Sequence, residues 1–190
     1  MRQGILFDNV SLSFGQKAVF KDFSHSFAPG VTTAVSGASG CGKTTLLRLA
    51  AGLLKPDSGT ISVAADEKIT YLFQEDRLLP YSTVLENVMF TGVTRERAMD
   101  ALDEVGLGTE AQSMPGQLSG GMKRRLAIAR AIAYDGTLLL LDEPVRGLDA
   151  QTKNAVMHAL KRALHGKTAL IVTHDEDETE FLAQQRFIIG

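Results

Sequence analysis

The sequence has little of what secreted or membrane-spanning proteins need. It contains one cysteine and no tryptophan in 190 residues. A single thiol excludes an intrachain disulfide and agrees with a reducing compartment such as the cytoplasm. No apolar run approaches the roughly 18 residues of a membrane span. The first residues, Met1–Gly4, lead directly into a strand-like run, so we expect no secretory signal.

Charge and composition indicate a globular domain that does not bind nucleic acid through a broad positive charge. The formal net charge is −2, which argues against a broad attraction to nucleic acid. Hydrophobic residues make up 44% of the chain, enough for a real core. The length fits one domain of ordinary size, or one core with a small inserted lobe.

A glycine-rich stretch stands between an apolar strand and a helix. Gly37–Thr44 matches the phosphate-loop pattern G-x-x-x-x-G-K-[ST], with a β-branched strand at Val31–Val35 before it and helix formers at Thr45–Ala51 after it. Such a loop can point its backbone N–H groups at a phosphate, and the new helix adds the positive end of its dipole. Lys43 can reach the β- and γ-phosphates, and the Thr44 hydroxyl can ligate Mg²⁺. The alternative, a glycine-rich turn that binds nothing, is less favoured because both flanking elements are present.

Two strands are predicted ahead of this loop, over Ile5–Phe14 and Val19–Phe27. They could form a small antiparallel sheet beside the base of a nucleotide. Phe14 is then a candidate to stack on adenine, and a place in the hydrophobic core is the alternative.

Polar side chains follow three predicted core strands. Gln74 comes after Ile69–Phe73, Asp142 and Glu143 follow the apolar run Thr137–Leu141, and His174 closely follows Ala169–Val172. Ligands of α/β sheets bind at the carboxyl ends of strands. Asp142 is therefore predicted to hold Mg²⁺, Glu143 to act on a water, and Gln74 to reach both. For Gln74 a solvated loop amide is the alternative, and for His174 a structural or solvated histidine.

The composition changes between residue 83 and about residue 115, where helix starts are predicted at Ser82 or Thr83 and at Thr94. Ser119-Gly120-Gly121 opens a further helix and offers a second anion site, although this signal is weak on its own. We expect one domain over residues 1–190, with a core of 1–80 and 124–190 and a helical lobe inserted at about 81–123. More crossover helices of the same core are the alternative.

Taken in order along the chain, these motifs make it resemble the ATP-binding subunit of an ATP-binding-cassette (ABC) transporter. Gly37–Thr44 matches the family's phosphate loop, Gln74 its Q-loop and Leu118–Gly121 its signature. Leu138–Glu143 matches its Walker B strand, Leu148-Asp149 its D-loop and His174 its switch histidine. The stretch Phe73–Pro80 also resembles bacterial importers of nitrate, sulfonate and taurine. The resemblance covers nearly the whole chain. It implies an α/β P-loop NTPase core with a mostly parallel sheet, a small antiparallel β subdomain and an inserted helical subdomain.

The resemblance also implies a cofactor, a set of site residues and partners. ATP and Mg²⁺ would bind between two copies of the chain, or between it and a second ABC ATPase, with Lys43 of one and Ser119 of the other at each nucleotide. Transmembrane permease subunits, contacted through Leu78–Leu85, and a solute-binding protein would complete a transporter at the cytoplasmic face of the membrane. The implied catalytic residues are Glu143, His174 and Gln74, and the implied metal ligands are Thr44, Gln74 and Asp142. The implied nucleotide contacts are Phe14, Gly37, Ala38, Ser39, Gly40, Cys41, Gly42, Lys43, Thr44, Thr45, Ser119, Gly120 and Gly121.

Three features depart from the family pattern. Met122 replaces the usual glutamine of the signature, and Arg146 replaces the usual serine of the D-loop. The sequence also stops soon after His174, which argues against a built-in regulatory domain. A regulatory nucleotide-binding subunit with little turnover, or a soluble ABC ATPase outside transport, remain the alternatives. Cys41 lies at a helix start near Lys43, so we expect a reactive thiol that nucleotide protects, unless it faces the core.

Overall fold

The computed structural model describes residues 4–64 and 67–190. Its centre is a five-stranded sheet in which every neighbouring pair is parallel, in the order β5-β6-β7-β3-β8. The strands are β3 (Thr32–Ser36), β5 (Ile69–Leu72), β6 (Leu138–Asp142), β7 (Thr168–Val172) and β8 (Gln185–Ile188).

The middle of this sheet is covered on both faces. All five residues of β6 and all five of β7 are buried, as continuous apolar runs require in a parallel sheet. Asp142 pairs in register with Val172, so the ends of β6 and β7 meet at one edge. The residues that follow them, Glu143 and Thr173-His174, therefore lie near each other.

A second, smaller sheet is antiparallel, in the order β2-β1-β4. Its strands are β1 (Ile5–Phe14), β2 (Lys17–Phe27) and β4 (Ser58–Ser62). Phe7 and Phe27 are buried between this sheet and the core. The predicted pair of strands is confirmed, and β4 adds a third because its backbone pairs with the other edge of β1.

Six α-helices connect the strands within the described residues: α1 (Lys43–Ala50), α2 (Val84–Met89), α3 (Arg95–Glu104), α4 (Gly120–Tyr134), α5 (Ala150–Leu164) and α6 (Glu176–Leu182). Side chains at the starts of five of them accept a backbone N–H of the first turn: Thr83, Thr94, Ser119, Asp149 and Asp175. Thr83 and Glu86 form a full capping box.

Helices α2 and α3 pack on α4, and α4 continues toward the sheet. Leu102 of α3, Leu126 of α4 and Leu139 of β6 belong to one buried hydrophobic cluster. The two-part division of the chain at residues 81 and 123 stays a prediction. Among the described residues, no helix is both long and apolar enough to cross a membrane.

The differences from the sequence prediction include the start of helix α1 and an additional strand. Helix α1 starts at Lys43 rather than Thr45, because Gly42 takes a left-handed conformation that already sets up the first turn. Strand β8 was not predicted, since its sequence is short and half polar and it gains stability by pairing with β3. The prediction that Met1–Gly4 contains no secretory signal falls mostly outside the described residues, since residues 1–3 are not described. Residues 65 and 66, in the middle of the Ala64–Lys68 connection, also lie outside them.

Candidate functional site

The glycine-rich loop joins β3 to α1 in conformations that side chains disfavour. Gly37, Gly40 and Gly42 have φ angles of 148°, 75° and 107°. A Cβ at Gly42 would lie 2.7 Å from Val19 Cγ1, so glycine is required there for space as well as for conformation. Lys43 is only 7% exposed, and its Nζ donates to the carbonyls of Gly37 at 2.8 Å and Ala38 at 2.9 Å. The lysine is thus held across the loop with its charge inside it.

Thr44 and Asp142 form a pair of oxygen donors beside this loop. The Thr44 hydroxyl donates to Asp142 Oδ2 at 2.8 Å. Burial raises the pKa of Asp142, the hydrogen bond from Thr44 lowers it, and the adjacent Glu143 raises it again. Mg²⁺ prefers oxygen ligands such as the Thr44 hydroxyl and the Asp142 carboxylate, so this pair of donors fits that ion.

Glu143 sits at the turn that follows β6. Its φ angle is 48°, uncommon for a residue other than glycine, and its backbone N–H donates to Val172 O at 2.8 Å. Its carboxylate has two cationic or titratable neighbours. Oε2 lies 3.1 Å from Arg146 Nη1, and Oε1 lies 3.8 Å from His174 Nε2. The turn aims Glu143 into the space between α1 and the end of β7.

A cleft of about 320 Å³ brings most of the predicted site residues together. Phe14 stands at its wall and is 53% exposed, so the alternative of a core aromatic is wrong. The predicted residues that line the cleft are Phe14, Ser39, Gly40, Gly42, Lys43, Thr44, Thr45, Gln74, Asp142, Glu143 and His174.

The predicted second anion site lies outside this cleft. Ser119 caps α4 through Met122 N at 3.2 Å, and Ser119 and Gly120 are exposed. Gly120 and Gly121 line a separate pocket of about 300 Å³, which shares Gln74 with the cleft. The Met122 side chain packs against the hydrophobic cluster, whereas its backbone N–H donates to the Ser119 hydroxyl at the start of the helix.

Within the glycine-rich loop, three of the predicted nucleotide contacts do not line the cleft: Gly37, Ala38 and Cys41. The Cys41 side chain packs against the core beneath the small sheet and lines a groove with Phe23 and Phe187. Its Sγ lies 4.0 Å from Lys43 Nζ. The thiol therefore faces the hydrophobic side of the loop, which is the alternative considered for it above.

Sequence reasoning missed Val172, which lines the cleft at the end of β7, and three further residues at the site. Lys17 and Val19 line the cleft because the β1–β2 hairpin folds over the loop. Arg124 of α4 donates to the carbonyls of both Gln74 and Glu143. A turn lysine, a strand valine and a helix arginine carry no local signal, because only the tertiary fold brings them to the cleft.

Comparison with known protein families now places the chain. The family model described as ABC transporter matches residues 20–146. The chain belongs to the ABC transporter family.

Several curated relatives that match the chain are named as import ATP-binding proteins. An aliphatic sulfonates import ATP-binding protein of Mesorhizobium japonicum is 41% identical, covering 100% of this chain and 76% of the relative. The protein of the same name in Burkholderia pseudomallei is 47% identical over 95% of this chain and 58% of the relative. That of Pseudomonas putida is 42% identical over 93% and 69%. The chain thus spans less than two thirds of the length of the Burkholderia pseudomallei relative.

Solved ABC cassettes share the fold. A dimeric ATP-binding cassette bound to ADP and Pi in a post-hydrolysis state is 30% identical, with a TM-score of 0.87 over 98% of this chain and 94% of that one. A second dimeric bacterial ABC transporter cassette has the same identity and TM-score over 97% and 94%.

Proposed function

We propose that this chain binds and hydrolyses ATP to power the import of an aliphatic sulfonate through a separate membrane permease. The observation that carries the proposal is the cleft in which Lys43, the Thr44–Asp142 pair and Glu143 converge. The importer names of the relatives support the sulfonate and the direction of transport.

Each part of the cleft suits one part of Mg-ATP. Phe14 would stack on the adenine, and the loop N–H groups with Lys43 would hold the phosphates. Thr44, Asp142 and Gln74 would hold Mg²⁺, which offsets charge on the phosphate oxygens when bound. The hydroxyl of Thr44 and the carboxylate of Asp142, already 2.8 Å apart, would provide oxygen ligands for the ion.

The hydrolytic step would use Glu143 and His174. Glu143 is the carboxylate placed to orient a water and accept its proton. His174, with a side chain 57% exposed, would contact the γ-phosphate from the end of β7. Gln74 lies between the cleft and the pocket at Gly120 and Gly121, so it would respond to both.

A second copy of the chain, or a second ABC ATPase, would complete the site. Gly120 and Gly121, which follow Ser119 in the predicted second anion site, line a pocket separate from the cleft, so one nucleotide cannot readily use both sites of a single chain. Two copies placed head to tail would set Ser119 of one against the Lys43 loop of the other. The dimeric state of the two solved cassettes supports this arrangement.

The permease would dock on the face formed by β5, α2 and the segment between them. A groove of about 270 Å³ is lined there by Tyr71, Phe73 and Phe90, and Phe90 is 73% exposed. Tyr81, in the Leu78–Leu85 segment predicted to contact the permease, is 93% exposed. This docking would place the chain at the cytoplasmic face of the membrane, and a solute-binding protein would deliver the sulfonate from the other side.

The test is reconstitution of the chain with a permease and solute-binding protein encoded beside it. Uptake into ATP-loaded proteoliposomes should occur with an alkanesulfonate and not with nitrate, and Lys43→Ala should abolish it. Phosphate release without any uptake of a sulfonate would retain the ATPase and reject the import role. ATP binding without phosphate release would instead favour a regulatory subunit with little turnover. The contact between Arg146 and Glu143 favours this alternative, because it pairs the proposed general base with a cation.

A further inference from the structure

Arg124 is the most extensively bonded buried cation among the described residues. It lies in the second turn of α4 and is only 4% exposed. Its guanidinium donates to five backbone carbonyls and one carboxylate. Its Nε donates to Pro144 O at 2.8 Å. Its Nη1 donates to Phe73 O at 2.7 Å, Gln74 O at 3.3 Å and Asp76 Oδ1 at 3.3 Å. Its Nη2 donates to Asp142 O at 2.9 Å and Glu143 O at 2.7 Å.

These carbonyls need donors because they lie where two core strands stop. Strand β5 ends at Leu72 and β6 at Asp142, so the carbonyls that follow leave the sheet and lose their ladder partners. Buried carbonyls without a partner are costly. The rigid fork of an arginine can serve several of them at once, whereas the single ammonium of a lysine cannot span both strand ends.

Neighbouring arginines of α4 show that this arrangement is particular to Arg124. Arg125 also binds two carbonyls, those of Val105 and Gly106, but these end α3 and lie away from the cleft. Arg130 binds the carbonyls of Asp76 and Arg77 and has no bond to the β6 end. Arg124 therefore joins three parts: the helix that begins at Ser119, the Gln74 segment and the Glu143 turn.

We propose that Arg124 is a positioning residue that couples the anion site at the start of α4 to Gln74 and Glu143 of the same chain. When the Ser119 end of α4 engages a nucleotide, Arg124 carries the displacement of the helix to the two groups that act in the cleft. In the shared-site dimer of the proposed function, on which this inference rests, nucleotide bound at one site would thereby set the catalytic groups of the other.

The substitution Arg124→Lys tests the coupling, since it keeps the charge and removes the fork. We expect kcat for ATP hydrolysis to fall roughly 10-fold or more, the scale on which small misplacements of catalytic groups act. KM for ATP should change little, because Arg124 has no bond to Lys43 or Thr44. The Hill coefficient for ATP should fall to 1, because the two sites would no longer communicate.

Arg125→Lys is the matched control. It alters the next residue of the same helix and the same kind of carbonyl contact, so it should retain the parent kcat and Hill coefficient. A second variant, Asp76→Asn, removes the negative charge that Arg124 Nη1 binds beside Gln74, so it weakens the hold of the guanidinium on the Gln74 segment without changing α4. It keeps the test open if Arg124→Lys does not fold, and it should lower the Hill coefficient in the same direction with a smaller loss of kcat.

The proposal is overturned if Arg124→Lys, or Asp76→Asn in its place, keeps the cooperativity of the parent, whatever happens to kcat. It is also overturned if Arg125→Lys has the same effect.

Amide hydrogen exchange separates this failure from failure of the proposed function. Arg124→Lys should speed exchange in residues 73–77 and 142–147 together and leave residues 37–44 unchanged. A parent that never hydrolyses ATP rejects the proposed function, and unchanged exchange in both segments rejects the role of Arg124.

Discussion

Arg146 Nη1 lies 3.1 Å from Glu143 Oε2, so the carboxylate proposed as the general base is paired with a cation from its own turn. The Arg146 side chain is 64% exposed and that of Glu143 is 21% exposed. An ion pair this exposed is weak, on the order of 1 kcal/mol or less. It restrains the Glu143 carboxylate only weakly.

Replacing Arg146 by serine should therefore raise basal ATP turnover by up to about 5-fold, which is the rate equivalent of about 1 kcal/mol. The physical reason is that Glu143 no longer has a competing partner when it orients a water. Steady-state phosphate release is the measurement, and Arg146→Lys, which keeps a cation, is the control. A drop in turnover in Arg146→Ser alone would show that Arg146 supports the reaction instead.

Glu143→Gln should keep ATP binding and lose turnover. The amide has the shape of the carboxylate but cannot accept a proton, and loss of a general base costs about 10²-fold or more. Phosphate release reports the loss, and fluorescent-nucleotide titration reports the binding. Hydrolysis by the variant at the parent rate would remove Glu143 from the catalytic role.

Two inactive variants should restore each other if the site is shared between copies. Lys43→Ala damages the loop and keeps Ser119, whereas Ser119→Arg blocks the start of α4 with bulk and charge and keeps the loop. In a mixed dimer, one of the two sites has both parts intact. Light scattering should show ATP-dependent dimers in the mixture and in neither variant alone. Dimers of the parent without dimers in the mixture would contradict the shared site.

The thiol of Cys41 should react slowly with maleimide, and Mg-ATP should change the rate by less than about 3-fold. Its side chain packs against the core beside Phe23 and Phe187 and does not line the cleft. Mass spectrometry of timed samples gives the rates, with unfolded protein as the fully reactive reference. Strong protection by Mg-ATP would restore the expectation drawn from the sequence.

Glu178 supports the loop that holds His174. It is 2% exposed, and its Oε2 accepts the hydroxyl of Thr173. Burial raises its pKa from 4.5 to about 7, with Asp175 acting in the same direction and the Thr173 hydrogen bond, Lys153 and Arg124 in the opposite one. The folded state keeps this proton to a higher pH than the unfolded chain does.

The free energy of unfolding should consequently fall between pH 4.5 and 7 through this group, and the loss is complete above pH 7. Glu178→Gln removes the ionisation, so its stability relative to the parent should rise across this range by on the order of 3 kcal/mol. Urea titrations at several pH values measure the difference. Glu180→Gln, at a carboxyl whose side chain is 75% exposed on the same helix, should show no such trend. Parallel curves for Glu178→Gln and the parent would contradict the raised pKa.

The sequence alone determined the features that depend on local pattern. The strand–loop–helix order around Gly37–Thr44 follows from glycines that only a tight anion-binding turn uses, and the apolar runs before Asp142 and Thr173 follow from burial on both faces of a sheet. Because parallel strands end at one edge, the proximity of Gln74, Glu143 and His174 could also be predicted. The cleft confirms that they lie together, and their roles remain predictions.

The tertiary structure alone decided what depends on contacts between distant segments. It placed Phe14 at the cleft wall, turned Cys41 toward the core and paired Arg146 with Glu143. It also set Arg124 among the carbonyls of two strand ends that lie about 50 and 20 residues away along the chain. Such side chains carry no periodic signal in the sequence, because their partners come from other elements and are chosen by packing and by the need of buried carbonyls for donors.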